Sequence, residues 1–151
     1  MHSLATNDLE NLVCGALETM AFIVLEPKSE GSFEGDTAEG VAASIRFTVG
    51  DEHFEVRIGA SNGFSNEFGS ALLGISPEEF SASGEGVLAI QELANILAGE
   101  ILRVMAESGT WTRLELPSSV DLVTAVAGDP VTHGWFDYVG EPLSVALHQV
   151  D

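Results

Sequence analysis

Fixed positive charge is scarce in this chain. Lys28 and four arginines face 24 Asp and Glu, giving a formal charge of −19 and a pI near 4.2. Neutralising nucleic-acid phosphates takes a basic patch, which five cations cannot build, and an anionic membrane surface is disfavoured on the same ground. Cysteine is also nearly absent. Cys14 stands alone, so no internal disulfide can form and no oxidising compartment is required. No apolar run approaches the roughly 18 residues of a membrane span, and residues 1–8 lack the basic start and apolar run of a signal peptide. The expectation is an acidic, soluble, cytoplasmic protein. Its 151 residues, 45% of them apolar, suffice for one domain over 1–151 with a real core, and exclude a disordered tail.

What is present is strongly periodic. Asn7 and Glu10 resemble a capping box, and Leu9, Leu12, Val13, Ala16, Leu17 and Met20 then recur at helical steps. Residues 21–26 (AFIVLE), halted by Pro27, read as a first strand, and the polar stretch 28–40 as a surface loop. Residues 41–49 and 53–58 alternate about Gly50-Asp51-Glu52, which predicts a hairpin with Ile45, Phe47 and Val49 facing Phe54, Val56 and Ile58. A short helix over 66–73 with Gly74 as its C-cap and a polar connector over 75–86 follow. Residues 87–106 carry the strongest helical pattern. Strand candidates then run over 111–116, stopping at Pro117, over 131–139 and over 143–150, the last two separated by Gly140-Glu141-Pro142. The fold class implied is α+β, an antiparallel sheet of about six strands packed against two long helices and one short one.

The long helix has an unusual outer face. Ile90, Ala94, Leu97, Ile101 and Val104, with Val87 and Met105 at the edge, form a core stripe. With Glu92 set at zero, Arg103 falls at about 20°, Gly99 at about 340° and Asn95 at about 300°, so Glu92 and Asn95 are neighbours one turn apart. The same outward sector holds Leu88, Ile96 and Leu102, where a solvated face would carry Lys, Glu or Gln. Either another element of this chain covers these apolar groups, or they rim a docking surface. Gly99 costs roughly 1 kcal/mol against Ala in a helix interior, and close approach of another backbone would be a reason to tolerate it.

The run Glu92-Leu93-Ala94-Asn95-Ile96-Leu97-Ala98-Gly99, followed by Pro117, resembles the CheX and CheC chemotaxis phosphatases, whose motif is Glu-x-x-Asn on a long helix with a Pro further on. The opening helix ending Leu17-Glu18-Thr19-Met20, the hairpin, the Leu72-Leu73-Gly74 segment and the closing strand pair follow the order this resemblance implies. It implies hydrolysis of the aspartyl phosphate of a CheY-like response regulator. Asn95 would position the attacking water, Glu92 would pair with the regulator's active-site lysine, and Leu88, Ile96, Gly99 and Arg103 would meet the partner. It implies no cofactor of the chain's own, the Mg²⁺ being held in the regulator's active site. The first helix has no Glu-x-x-Asn, so one site is expected, as in CheX, and with it a homodimer joined through the sheets. Two departures are visible: Leu88 replaces the acidic residue or Ser common four positions before the Glu, and the spacing from Asn95 to Pro117 is slightly short. An active phosphatase with a modified rim and a catalytically weak binding or adapter module of a two-component system both follow.

Other candidates read more simply as structure. Cys14 borders the first helix's apolar stripe as a small buried thiol. His53, His133 and His148 lie on separate strand candidates without metal-ligand spacing. Ser61 and Ser65 lack a nucleophile elbow. Asp36, Glu39, Asp51 and Glu52 do not follow the spacing of an EF-hand loop. Trp111 and Trp135 are expected in the core. A structural or small-ligand domain in which Glu92 and Asn95 are inconsequential is the remaining alternative.

Overall fold

A computed structural model describes residues 2–151. Its helices are α1 (Thr6–Ala21), α2 (Asn62–Leu73), α3 (Pro77–Ser83), α4 (Gly86–Met105) and α5 (Leu122–Val126). Its strands are β1 (Glu26–Lys28), β2 (Gly40–Val49), β3 (Glu52–Ser61), β4 (Thr112–Leu114), β5 (Ser118–Val120), β6 (Thr132–Tyr138) and β7 (Glu141–Val150). All pair antiparallel in one seven-stranded sheet of order β1-β6-β7-β3-β2-β4, with β5 also on β2. The α+β architecture is the expected one, with one strand and two short helices more than anticipated.

Alternation along the central strands builds the core. Ile45 pairs with Val56 and Phe47 with Phe54, the latter rings stacked at 5.4 Å, and Leu147 continues the row on β7. Onto this face α1 lays Leu9, Val13 and Leu17, and α4 lays Ile90, Leu93, Ala94, Leu97 and Ile101, all buried. The opposite face is partly covered by α5 and the 29–38 loop. A Cβ at Gly59 would lie 3.0 Å from Leu122 Cδ1 and 3.3 Å from both Ala125 Cβ and Phe33 Cε2, so glycine lets these elements approach the sheet.

Several boundaries differ from the sequence reading. The first helix starts at Thr6, and its N-cap, Ala5, makes no side-chain cap, so the Asn7–Glu10 box does not form. Tertiary contacts fix this end instead: Leu4 is buried, its carbonyl accepts from Thr132 Oγ1, and His2 Nδ1 donates to the Met105 carbonyl. The strand expected over 21–26 is not formed. α1 runs on to Ala21, Phe22 ends it in the left-handed conformation (φ 56°), and Ile23 and Leu25 bury themselves in an extended connection before β1 begins at Glu26. Pro27, read as a stop, lies inside β1 at the sheet edge, the place in a sheet where proline is tolerated. The polar connector over 75–86 contains α3, capped by Ser76 with Pro77 in the first turn. The strand expected over 111–116 shrinks to Thr112–Leu114, and β5 and α5 fill a stretch to which the sequence reading assigned no element. Both hairpin turns are tighter than expected, with Gly50 at φ 62° in one and Val139 and Gly140 at φ 50° and 84° in the other.

On the second sheet face, Glu55 accepts hydrogen bonds from Arg46, its cross-strand partner, at 2.9 Å and from Arg57. Burial alone would raise its carboxyl pKa, but the two guanidinium bonds outweigh burial and hold it below the ordinary range. A depressed folded-state pKa contributes stability above the unfolded value and loses it as pH falls. The advantage of the wild type over Glu55→Gln, read by urea unfolding, is therefore expected at neutral pH and should shrink as pH falls below about 4.3. An advantage independent of pH would contradict this account.

Candidate functional site

Burial of α4 on the sheet sets its rotation, and that rotation decides what faces outward. With Leu93, Ala94, Leu97 and Ala98 buried, Glu92 and Asn95 are both exposed, one turn apart on the solvent side. Leu88 lies one turn before Glu92 and is 60% exposed, and Ile96, one turn after it, is half-buried. Among the described residues no element walls the pair in. Gly99 follows about 6 Å further along the axis and has no atom within 4 Å of a Cβ built on it, so among the described residues no other backbone approaches it. Arg103, placed with these residues by helical angle, lies about 16 Å along the axis from Glu92. It pairs with the Glu100 carboxylate at 3.3 Å. The structure thus brings Leu88, Glu92, Asn95 and Ile96 together, sets Gly99 beside them, and leaves Arg103 apart. Val104, expected in the core, is 58% exposed and faces the space between α1 and α4.

Two depressions open along α4 near the pair. A groove of about 700 Å³ runs between α1 and α4, lined by Leu12, Gly15, Ala16, Met20, Ile96 and Val104 with Asp8 and Glu100 also along it. Nearer the start of α4 a pocket of about 200 Å³ opens between α2, α3 and α4, where Leu72, Leu73 and Leu88 surround a floor of Gly69, Ala89 and Phe80, and Glu85 and Glu92 supply carboxylates; Asn95 lines neither depression. The Phe80 ring packs onto Gly69 with no room for a Cβ.

The α3 side of this site was missed in the sequence. Ser76-Pro77-Glu78-Glu79 carried the signal: a helix-capping Ser, Pro in the first turn and Glu three residues after the cap. The Ser76 hydroxyl accepts from Glu79 N and bonds its carboxylate at 3.3 Å.

The remaining candidates have structural employment. Cys14 is half-buried, and burial together with Glu10 and Glu18 pushes its thiol pKa up, away from the nucleophilic thiolate. Ser61 caps α2 and donates to Glu141, and Ser65 donates to the Asn62 carbonyl. His53 bonds Thr48, His133 bonds Ser144, and burial lowers the pKa of His133 and His148. Among the described residues no group of three or more His, Cys, Asp or Glu is placed to hold a metal. Neither tryptophan is a core residue. Trp111 is 61% exposed next to the short edge strand β4, and half-buried Trp135 lies on the second sheet face against Gly31, Phe33 and His133.

If α4 is held by its inner face alone, substitutions on the two faces should separate cleanly. Leu97→Ala is expected to cost about 2–5 kcal/mol in urea unfolding, whereas Asn95→Ala and Glu92→Gln should stay within about 0.5 kcal/mol of wild type. A comparable loss on the outer face would mean that the pair serves the fold.

Comparison with known proteins agrees with this architecture. No family model and no curated protein sequence matches the chain. Among solved structures, a CheC-like superfamily protein from Shewanella sp. PV-4 is similar with a TM-score of 0.70 at 18% identity, covering 96% of both chains. CheX from Desulfovibrio desulfuricans is similar with a TM-score of 0.66 at 16% identity, over 94% of this chain and 96% of its own. CheX in a CheX–CheY–BeF3–Mg²⁺ complex from Borrelia burgdorferi is similar with a TM-score of 0.65 at 13% identity, over 95% of this chain and 96% of its own. With α1 and α4 on one face of an antiparallel sheet and the Glu92–Asn95 pair exposed on α4, the chain has the CheX/CheC-like fold.

Proposed function

We propose that this protein is a cytoplasmic phosphatase acting on the aspartyl phosphate of a CheY-like response regulator. The observation that carries the reading is the exposed Glu92–Asn95 pair, one turn apart on the solvent side of α4, with Glu92 at the rim of a pocket. A structural neighbour in complex with CheY, BeF3 and Mg²⁺ supports the choice of partner.

The residue types suit the chemistry. Hydrolysis of an acyl phosphate needs a water in line with the scissile P–O bond, and positioning supplies most of the available catalysis. Asn95 is a neutral amide. Its carbonyl oxygen accepts from and orients the water while its NH₂ donates to a neighbouring acceptor, and no further negative charge is brought to the phosphoryl group. The water oxygen bonds to phosphorus, the bond to the regulator's aspartate breaks, the aspartate leaves as a carboxylate, and both protons of the water end on the released inorganic phosphate. The metal is the partner's own Mg²⁺, which neutralises phosphoryl oxygens. Glu92 anchors the complex through a charge-assisted contact with the regulator's lysine. Leu88, Ile96 and Gly99 provide the surrounding contact, while Arg103, paired with Glu100, is peripheral to it.

The reading includes a homodimer joined through the sheets. Trp111 and Leu116 are exposed beside the β4 end of the sheet, where a second copy could cover them. Sedimentation equilibrium at micromolar concentration should give a dimer, and a monomer would remove this part of the reading. A second reading, a binding module with little turnover, is favoured by Leu88, an apolar group at the rim of the pair.

Phosphate release from regulators phosphorylated by a small phosphodonor decides between them. Wild type should accelerate release, Asn95→Ala should lower kcat by at least about 10²-fold, and Glu92→Ala should chiefly raise KM. Equal release by wild type and Asn95→Ala would reject the role of Asn95, and binding without acceleration would leave the module.

A further inference from the structure

The pocket between α2, α3 and α4 has no use within the fold. Leu73 is 57% exposed and Leu88 60%, and with Leu72 they ring an opening whose floor is sealed by Phe80 against Gly69. Exposed leucines gathered around one opening are an interaction surface rather than scattered surface residues. Its volume of about 200 Å³ falls below the roughly 300–1,000 Å³ of small-molecule sites. It suits a single large side chain.

Charge narrows the occupant further. Glu85 and Glu92 supply carboxylates at this pocket. The chain's own cations are committed elsewhere: Lys28 to Glu26, Arg46 and Arg57 to Glu55, and Arg103 to Glu100, while Arg113 lies on β4 at the far end of the sheet order. A complementary cation has to arrive from outside. A second copy is a poor source, since it brings a charge of −19 and only five fixed cations.

We infer that this pocket seats an apolar side chain of the phosphorylated regulator, flanked in that regulator by a lysine or arginine that meets Glu85. The inference rests on the proposed function, because Glu92 belongs both to the pocket and to the Glu92–Asn95 pair. A partner segment that brings its lysine to Glu92 therefore passes directly over the opening. Leucine at position 88 then sets which regulator is accepted, by offering an apolar contact and no hydrogen bond.

The probes are the CheY-like regulators of the same cell, phosphorylated by acetyl phosphate for turnover and loaded with beryllofluoride and Mg²⁺ for binding. Leu73→Ser should raise KM and the Kd of the loaded regulator about tenfold or more with kcat unchanged, and Leu88→Ser should raise the same KM and Kd. Glu85→Gln should raise KM and flatten its dependence on salt. Both leucines are exposed, so thermal unfolding should report intact folds. An unchanged KM in both serine variants, with Asn95→Ala still deficient in kcat, overturns the pocket and leaves the phosphatase reading standing. Absence of accelerated release with every regulator removes that reading and the occupant with it. Loss of self-association in Leu73→Ser or Leu88→Ser overturns the inference in favour of an interface between copies of this chain.

Discussion

Everything at the candidate site depends on how α4 is locked onto the sheet. Ile90, Leu93, Leu97 and Ile101 are all fully buried on one face of the helix. Each contributes about 1.5–3 kcal/mol by leaving water. Turning the helix by one residue, about 100°, would withdraw part of this stripe from the core and carry Glu92 towards the interior. There an unpaired carboxylate costs several kcal/mol. The outward aim of Glu92 and Asn95 therefore needs no hydrogen bond of its own. It is enforced from the far side of the helix.

This is also why that part of the structure was legible in the sequence. A long helix with a full apolar stripe has one stable rotation, so angles around the axis already told which residues share a face. The hairpin was equally plain, because Ile45, Phe47, Phe54 and Val56 alternate about a turn glycine and only one register buries all four. What could not be read locally was set by contacts distant in sequence. The start of α1 is held by Thr132 and Met105, which lie far along the chain, and β1 exists because β6 is there to pair with it. Val104 matched the helical period, yet it faces the groove beside α1, which periodicity cannot reveal. α3 is a different case. Its capping sequence was present, but seven residues with one buried side chain, Phe80, give too little period to stand out.

Electrostatics explains the division of labour between the two residues of the pair. The protein is so acidic that nearly every cation is used internally: two arginines satisfy one buried carboxylate, Glu55, and Arg103 satisfies Glu100. Among the described residues no cation forms an ion pair with Glu92, which favours a positive partner group. A second carboxylate at position 95 would add repulsion against an anionic phosphoryl group, whereas an amide presents an acceptor to water without net charge.

The same surface bears costs that packing inside the chain does not offset. Gly99 loses roughly 1 kcal/mol of helix stability relative to Ala, and no neighbouring element comes within contact distance of its missing side chain. Gly15 on α1 is likewise open, and it lines the groove that Ile96 and Val104 line from α4. Leu73 on α2 and Leu88 on α4 keep apolar surface in water at the pocket that Glu92 also lines. A chain selected only for stability would fill these positions with alanine and with charged residues. Exposed apolar side chains occur elsewhere too, at Phe22, Leu116 and Val139 among others, but Leu73 and Leu88 line one pocket together with Glu92. A visiting surface, which covers the leucines and approaches the bare helix backbone, would relieve both kinds of cost at once.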